Sequence, residues 1–505
     1  MHSPLPGLIL TLHLAGLVLL GGCLEAHPLV ARKAARSPAS ASASASASAS
    51  ASAPPLASTS TPAPTVDVAG GSDPGPASST EAPSRATCPL GERGPDGLTP
   101  LERGLRDALS DARLDRVVDL GPKAEEDCPP GVPCPGAPLG RFPSVDLAVV
   151  AFPEGCAPIG ASVSLSADLA GVRVNAIDPV TRKVTGLRFR RWNPMRWDGP
   201  RAVPRADGDD VVAGLTGVDF DLPYPASLFK LPVAVHVLRL VDQGTLRRDQ
   251  LVGDGTVQRP LDAWLDDMIT RSDNTSTRAL VRKLHALGAM ERVNGLLAAS
   301  GLSTLQIRGT SPVTGGDWRP GSIHMGAWDT VRLLWLLDPA APPPTWPTEG
   351  TLLSPASKQR LYTLLEEQAF HEALSTSALC GVDGIVRGIP ARMPARWVRR
   401  DGSVDVDELR RSRDARPCNE AAEVVFAHKT GLTLNFGSDA GIVTGIPGRA
   451  RRHYIVALIS NLGYRYVDAN HTGGPLPCLT SGVCYAPRIP ALGARIDALM
   501  KRWLE

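Results

Sequence analysis

From Val145 onward the chain falls into short β-like runs, Val145 to Phe152, Ala161 to Leu165 and Val172 to Ile177. Apolar and β-branched runs of such lengths predict strands. Between Pro225 and about Ala369 the pattern lengthens into a helix-rich middle. Strands return at Val424 to His428, Ala440 to Ile446 and Tyr454 to Ser460, apolar β-branched runs separated by Gly, Pro and Arg turns. Their spacing suits consecutive antiparallel pairing. A last helix over Ala491 to Leu504 presents Leu492, Ile496, Leu499 and Trp503 at helical spacing. The succession predicts one sheet built from both ends of a domain, with helices inserted between. Ahead of it, Thr99 to Leu120 reads as an amphipathic helix with Leu101, Leu105, Leu109, Leu114 and Val118 near one face, followed by a Cys/Pro/Gly-rich connector to about Pro143.

The first part of the chain is patterned differently. Pro4 to Gly22 is almost uncharged and apolar and ends Leu20-Gly21-Gly22-Cys23, too short and too early for a comfortable membrane span. It reads as a signal peptide over 1–22, and its end resembles a bacterial lipobox in which Cys23 is lipidated, although the leading MHSPLPG lacks Lys and Arg. From about Ser37 to Thr87, Ala/Ser alternation followed by Pro, Thr and Gly offers almost no large apolar residue to offset the entropy of ordering. Residues 23–87 are therefore expected to be a disordered tether, 88–143 a helix and connector, and 144–505 the main folded domain. Export and lipid anchoring in the cell envelope follow as expectations, periplasmic or at the outer membrane, which Leu24 in place of an aspartate mildly favours.

Composition narrows the partners. The 505 residues carry 53 basic and 51 acidic side chains, net +2, with the basic ones scattered, so there is no electrostatic footprint for nucleic acid. Nothing marks an oligomer, and a monomer is expected. Eight cysteines besides Cys23 suit disulfides in an oxidising compartment. Local pairing is expected for Cys128 with Cys134 and for Cys478 with Cys484; Cys380 with Cys418 and Cys88 with Cys156 would follow by elimination. No Cys-x2-Cys pair or His-Glu-x-x-His run occurs, so no metal or other cofactor is implied.

Three short elements carry candidate chemistry. Pro225-Ala226-Ser227-Leu228-Phe229-Lys230 opens a helix that runs apolar through Val241, and three-residue spacing sets Ser227 and Lys230 one turn apart on the same face. A lysine partly desolvated by Leu, Phe and Val can lose its proton and take one from the hydroxyl, and the helix start favours a developing oxyanion. Ser272-Asp273-Asn274 precedes a second helical pattern; its hydroxyl can pass a proton and its amide can hold a substrate amide. Lys429-Thr430-Gly431 follows the strand Val424 to His428, where Lys429 and Thr430 can take a carboxylate and Gly431 permits close backbone approach. Separately these are a helix cap, a second cap and a strand-to-turn tripeptide. Together they are specific, because only 8 of the 53 basic residues are lysine and the chain holds a single Ser-x-x-Lys.

The triplet resembles that of class A β-lactamases and penicillin-binding proteins, over roughly Ala161 to Glu505 and including Gly388-Ile389-Pro390-Ala391-Arg392. The resemblance implies a β-lactamase/transpeptidase-like α/β fold, with an antiparallel sheet lobe flanked by helices and an all-helical lobe, the site lying between them. It implies that Ser227 forms an acyl-enzyme, Lys230 activates it, Ser272 shuttles the proton, Asn274 holds the substrate amide, and Lys429 with Thr430 binds the carboxylate. The oxyanion hole would come from the backbone N–H groups of Ser227 and of Leu432, the residue after Gly431. A serine hydrolase acylated by β-lactams is the first reading. A D-alanyl-D-alanine peptidase acting on cell-wall peptides is the second, and a non-catalytic peptidoglycan-binding lipoprotein the third.

The match also has departures. Class A enzymes hydrolyse the acyl-enzyme with water activated by an Ω-loop glutamate, whereas Leu305-Gln306-Ile307-Arg308-Gly309-Thr310-Ser311-Pro312 contains none. Arg308 resembles that loop's arginine, which places Thr310 where the base would stand; the nearest acid, Asp317, is expected to be a solvent-facing turn residue. The short Ser227 to Ser272 interval implies a trimmed helical lobe, and Arg399 to Glu423 an insertion stapled by Cys418. Tyr454, preceded by Arg451 and Arg452, falls near the position of an arginine that often assists carboxylate binding. His324 and His453 are expected to be structural.

Overall fold

The computed structural model describes residues 88–121, 136–198, 203–348, 350–406, 409–410, 412–468 and 487–505. The leader, Cys23, the tether and the expected pairs Cys128/Cys134 and Cys478/Cys484 lie outside the described residues. In chain order, α1 (Pro100–Asp111) precedes β1 (Val145–Ala151), β2 (Ile159–Ser166) and β3 (Gly171–Val174). Two further strands, β4 (Val184–Arg191) and β5 (Gly217–Leu222), lead into the helices α2 (Lys230–Asp242), α3 (Leu261–Thr270), α4 (Asn274–Ala286), α5 (Met290–Ala299), α6 (Ala327–Leu337) and α7 (Pro355–Glu366). The chain returns through β6 (Val424–Leu432), β7 (Gly437–Gly445) and β8 (His453–Ser460) and ends in α8 (Arg488–Leu504).

The main sheet has the order β6-β7-β8-β1-β2-β3, antiparallel throughout, so both ends of the domain supply it as the succession of strand runs predicts. Its register pairs Leu147 with Leu458 and Val149 with Val456. β1 is buried at every position because both sheet faces are covered, which makes its sequence almost continuously apolar. Leu147, Val149, Val456 and Leu458 face a core shared with Leu101 and Leu105 of α1 and Leu492 and Ile496 of α8. Ala148, Val150, Ala457 and Ile459 face the opposite core, with Val331 and Leu334 of α6 and the helices beyond. Each fully buried Leu, Val or Ile contributes about 1.5–3 kcal/mol relative to exposure. The one acid in β1, Asp146, accepts from the Ala327 N–H at the start of α6 at 2.7 Å, and its burial pushes its carboxyl up to about 6.

Several boundaries differ from the sequence pattern. The helix expected over Thr99 to Leu120 stops at Asp111, after a capping box in which Thr99 and Glu102 exchange hydrogen bonds. Arg113 then turns left-handed (φ 47°), and Val117–Asp119 is a strand paired with Tyr466–Asp468. The leucine spacing does not continue as helix because Leu114 and Val117 reach the same core from a turn and a strand. The run Val172 to Ile177 divides between β3 and a short strand, Ala176–Ile177, that pairs with β4 in a separate sheet. β4 and β5 pair in parallel. Cys88–Cys156 and Cys380–Cys418 are bonded, the pairings reached by elimination.

Candidate active site

β5 ends at Leu222, and Pro225 brings the chain into a tight 3-10 turn, Ala226–Phe229, that runs straight into α2. Ala226 sits in the left-handed region (φ 48°), a conformation that costs a residue with a Cβ about 1–3 kcal/mol and persists where neighbours fix it. The neighbours do so here: Ala226, Leu228, Phe229 and Lys230 are all buried, while Ser227 alone in the turn is partly exposed. The turn therefore lifts one hydroxyl out of an apolar bed.

Lys230 is fully buried one turn along. Its ammonium meets the carbonyl oxygen of Ser272, the Ser272 hydroxyl at 3.3 Å and Asn274 Oδ1 at 2.7 Å. Those acceptors belong to the turn between α3 and α4, where Ser272 is left-handed (φ 56°) and Asp273 caps α4 by accepting from the Ser276 N–H and hydroxyl, each at 2.6 Å. The positive φ lets the carbonyl and the side chain of one serine address the same amine. Lys429 Nζ reaches the Ser272 hydroxyl from the opposite side at 2.8 Å and donates to the Thr430 carbonyl at 2.7 Å. One hydroxyl thus bridges two buried lysines. Burial, then the charge of Lys429, holds the Lys230 amine well below the ordinary lysine range; burial brings Lys429 down to about 7 against the pull of Asp439 and Glu372.

Lys429, Thr430 and Gly431 lie inside β6, not after its end as the sequence pattern suggests, because their backbone continues the ladder with Ala440, Asp439 and Ser438 of β7. Leu432 closes the strand opposite Gly437. Gly431 is required by crowding: a Cβ there would stand 2.7 Å from the Leu228 nitrogen and nearer still to the Pro225 carbonyl. Ser438 ties the same place together by donating to the Pro225 carbonyl at 2.6 Å. The edge of β6 is thereby pinned against the turn that carries Ser227.

Three supporting residues have no signal in the sequence reading. Ser438 is one. Asp439, paired with Thr430, accepts from the Leu374 N–H at 3.1 Å and shares a hydrogen bond of 2.7 Å with His428 Nδ1; burial pushes His428 down and Asp439 up, both toward neutrality. The third is Trp318, whose ring centroid lies 5.9 Å from Lys230 Nζ and 5.1 Å from the Phe229 ring. A serine and an aspartate in a strand carry no local signal, and a lone Trp in a loop is ambiguous.

The positions flagged as departures are resolved by their contacts. Thr310 turns to His285 Nε2, 2.8 Å away, and Arg308 holds Gln306 Oε1 at 3.0 Å. Asp317 is left-handed, half-exposed and 3.7 Å from Arg319, a solvent-facing turn residue as expected. Arg452 is buried in ion pairs with Asp497, Glu423 and Glu505, and the Tyr454 hydroxyl donates to Asp497, so both serve the packing of α8. His453 pairs with Asp338 at 2.7 Å, and the buried His324 is pushed down to about 4 by burial. A cavity of about 620 Å³ lined by Arg141, Trp192, Trp197, Arg205 and Asp221 includes none of the motif residues. Among the described residues, no group of three or more His, Cys, Asp or Glu could hold a metal ion.

Comparison with known proteins gives a family model, described as the beta-lactamase enzyme family, that matches residues 221–474. Solved structures similar to this chain include a PBP-A variant in an acyl-enzyme complex with penicillin G, at 15% identity and TM-score 0.39, covering 80% of this chain and 95% of that one. A β-lactamase from Sphaerobacter thermophilus matches at 14% identity and TM-score 0.37 (79% and 95% covered), and one from Xanthomonas campestris pv. campestris at 15% and 0.37 (79% and 97%). No curated protein matches the chain.

Proposed function

Because the chain belongs to the beta-lactamase enzyme family, we propose that it is a serine hydrolase that β-lactams acylate at Ser227. The observation that carries this reading is the row Lys230, Ser272, Lys429 beside the one partly exposed residue of the turn. With the Lys230 amine held well below the ordinary lysine range by burial, its nitrogen takes the Ser227 proton as Oγ attacks the lactam carbonyl. The oxyanion settles on the N–H groups of Ser227 and Leu432. The carbon–nitrogen bond then breaks, and the ring nitrogen receives the proton from Lys230 through the Ser272 hydroxyl. Asn274 Oδ1 is engaged by Lys230, which orients its Nδ2 toward the substrate amide. Lys429 and Thr430 take the carboxylate. The two disulfides support the expectation of an exported protein, since such bonds persist in oxidising compartments.

A second reading, a peptidase for D-alanyl-D-alanine cell-wall peptides, is favoured by one observation: Asp317, the only carboxylate from Arg308 to Ser322, stands in a solvent-facing turn with Arg319 as its near partner. Mass spectrometry of the purified protein mixed with benzylpenicillin, followed over minutes to hours beside Ser227→Ala, tests both. An adduct that persists on the wild type and is absent from the variant supports acylation with slow release. Rapid penicillin loss without a lasting adduct identifies an efficient β-lactamase; neither adduct nor turnover sinks the acyl-enzyme reading.

The two lysines also fix a pH dependence. Lys429 binds an anion only while charged, so with its ammonium titrating near 7 the acylation rate falls as pH rises through that value. At the acid side the rate falls when Lys230 gains a proton. Rates of labelling by a fluorescent penicillin should therefore decline between pH 7 and 9; a rate still rising at pH 9 would show that Lys429 does not supply the anion site.

A further inference from the structure

The loop from Arg308 to Ser322 places the Trp318 indole with its ring centroid 5.9 Å from the amine of Lys230. It is a rigid piece of chain. The Arg308 N–H donates to the Ser322 carbonyl at 3.1 Å, the Gly315 N–H to Ser311 at 2.8 Å, and the Ser311 N–H to Gly316 at 3.0 Å. Gly315 is left-handed (φ 70°) and so close to α4 that a Cβ would stand 2.8 Å from the Arg278 carbonyl carbon. The Trp318 indole N–H donates back to the Gly315 carbonyl at 3.0 Å, and the Arg278 guanidinium lies 5.5 Å from the ring centroid. The ring is thus fixed by the loop and by α4, and it packs on Phe229 and faces Lys230.

This geometry bears on the fate of the acyl-enzyme once it has formed. Around the turn that carries Ser227, β6 packs on Pro225 and Leu228, and Trp318 packs on Phe229 and Lys230. A substrate seated along β6 leaves the loop side as the approach for water to the Ser227 ester. The groups presented there are an apolar ring and an amine whose polar neighbours are already Ser272 and Asn274. Resting on the acyl-enzyme reading above, we propose that Trp318 is a positioning residue that sets the lifetime of the acyl-enzyme, by excluding hydrolytic water from the Lys230 side of Ser227. Deacylation itself is the attack of water on the ester carbonyl, with the water proton taken by a base and the Ser227 oxygen leaving with a proton. Trp318 withholds the first participant.

The test compares wild type, Trp318→Ala and Trp318→Phe in the full chain. Each is loaded with benzylpenicillin, freed of excess reagent and followed by mass spectrometry as the adduct decays. The alanine variant is expected to release its adduct about tenfold faster or more, because admitted water can use the Lys230 amine as base, whose help is worth about 10²–10⁴-fold when well placed. The phenylalanine variant, which keeps a ring on Phe229, should stay near wild type. Adduct lifetimes within twofold across all three overturn the proposal, as does equal acceleration in the alanine and phenylalanine variants. Where the alanine variant does not fold, Trp318→Leu replaces it with the same two outcomes. A wild type that neither forms an adduct nor consumes penicillin overturns the acyl-enzyme reading itself, and this inference with it; rapid penicillin loss with no lasting adduct overturns this inference alone.

Discussion

Lys230→Ala lowers the rate of acylation at Ser227 by about 10²–10⁴-fold, the usual worth of a positioned general base. The amine is fully buried and touches Ser272 and Asn274, with Lys429 next in the row and no carboxylate among its hydrogen-bond partners in the described residues. Its chemistry is therefore that of an amine base, and Lys429, on the same Ser272 hydroxyl, is committed to the anion site. Truncation also leaves Asn274 Oδ1 without its donor, which costs on the order of 1–3 kcal/mol of stability. Lys230→Arg separates the two effects. A guanidinium supplies donors to the same acceptors but stays protonated, so acylation remains low while much of the stability returns. Labelling time courses with a fluorescent penicillin, read beside thermal melts, distinguish these outcomes; an alanine variant acylated within tenfold of wild type would place the base elsewhere.

Gly431→Ala produces the second large loss, about 10²–10³-fold in acylation, the size expected when one oxyanion donor is misplaced. The methyl group would enter space held by the Pro225 carbonyl and the Leu228 nitrogen, both backbone atoms of the turn that raises Ser227. β6 must then move away from the turn, and the N–H of Leu432 moves with it, apart from that of Ser227. Ser438, bonded to the Pro225 carbonyl, resists the shift and makes it a strained one. Retention of acylation within threefold would show that the two N–H groups do not form a pair.

Much of the site is legible in the sequence because it is written in side chains whose chemistry is scarce in this chain. A solitary Ser-x-x-Lys among few lysines points to Ser227 and Lys230; Ser272 and Asn274 of the second motif reach that amine, and Lys429 of the third reaches Ser272 and the Thr430 carbonyl. The sheet is legible because apolar residues at β1, β6, β7 and β8 alternate between two cores. What escapes is held by backbone conformation and by distant partners. Left-handed Ala226 and Ser272 have no sequence signature, since the strain is accepted only where tertiary packing enforces it. Ser438 and Asp439 matter for what they reach, the Pro225 carbonyl and His428, and alternation tells only which face they occupy. The parallel pair β4 and β5 has no hairpin turn to announce it. The early helix ends sooner than its leucine spacing suggests because leucines that share a core need not share a helix.

The main sheet also dictates when this protein can come into being. Its central contact joins β1 to β8, segments roughly three hundred residues apart, and on a growing polypeptide the earlier strand waits for almost the whole of the later chain to be made. Throughout that interval an apolar segment destined for burial at every position has an unpaired edge, the condition under which strands find the wrong partner. A chain that stopped before His453 would therefore lack the middle of its sheet, not its margin.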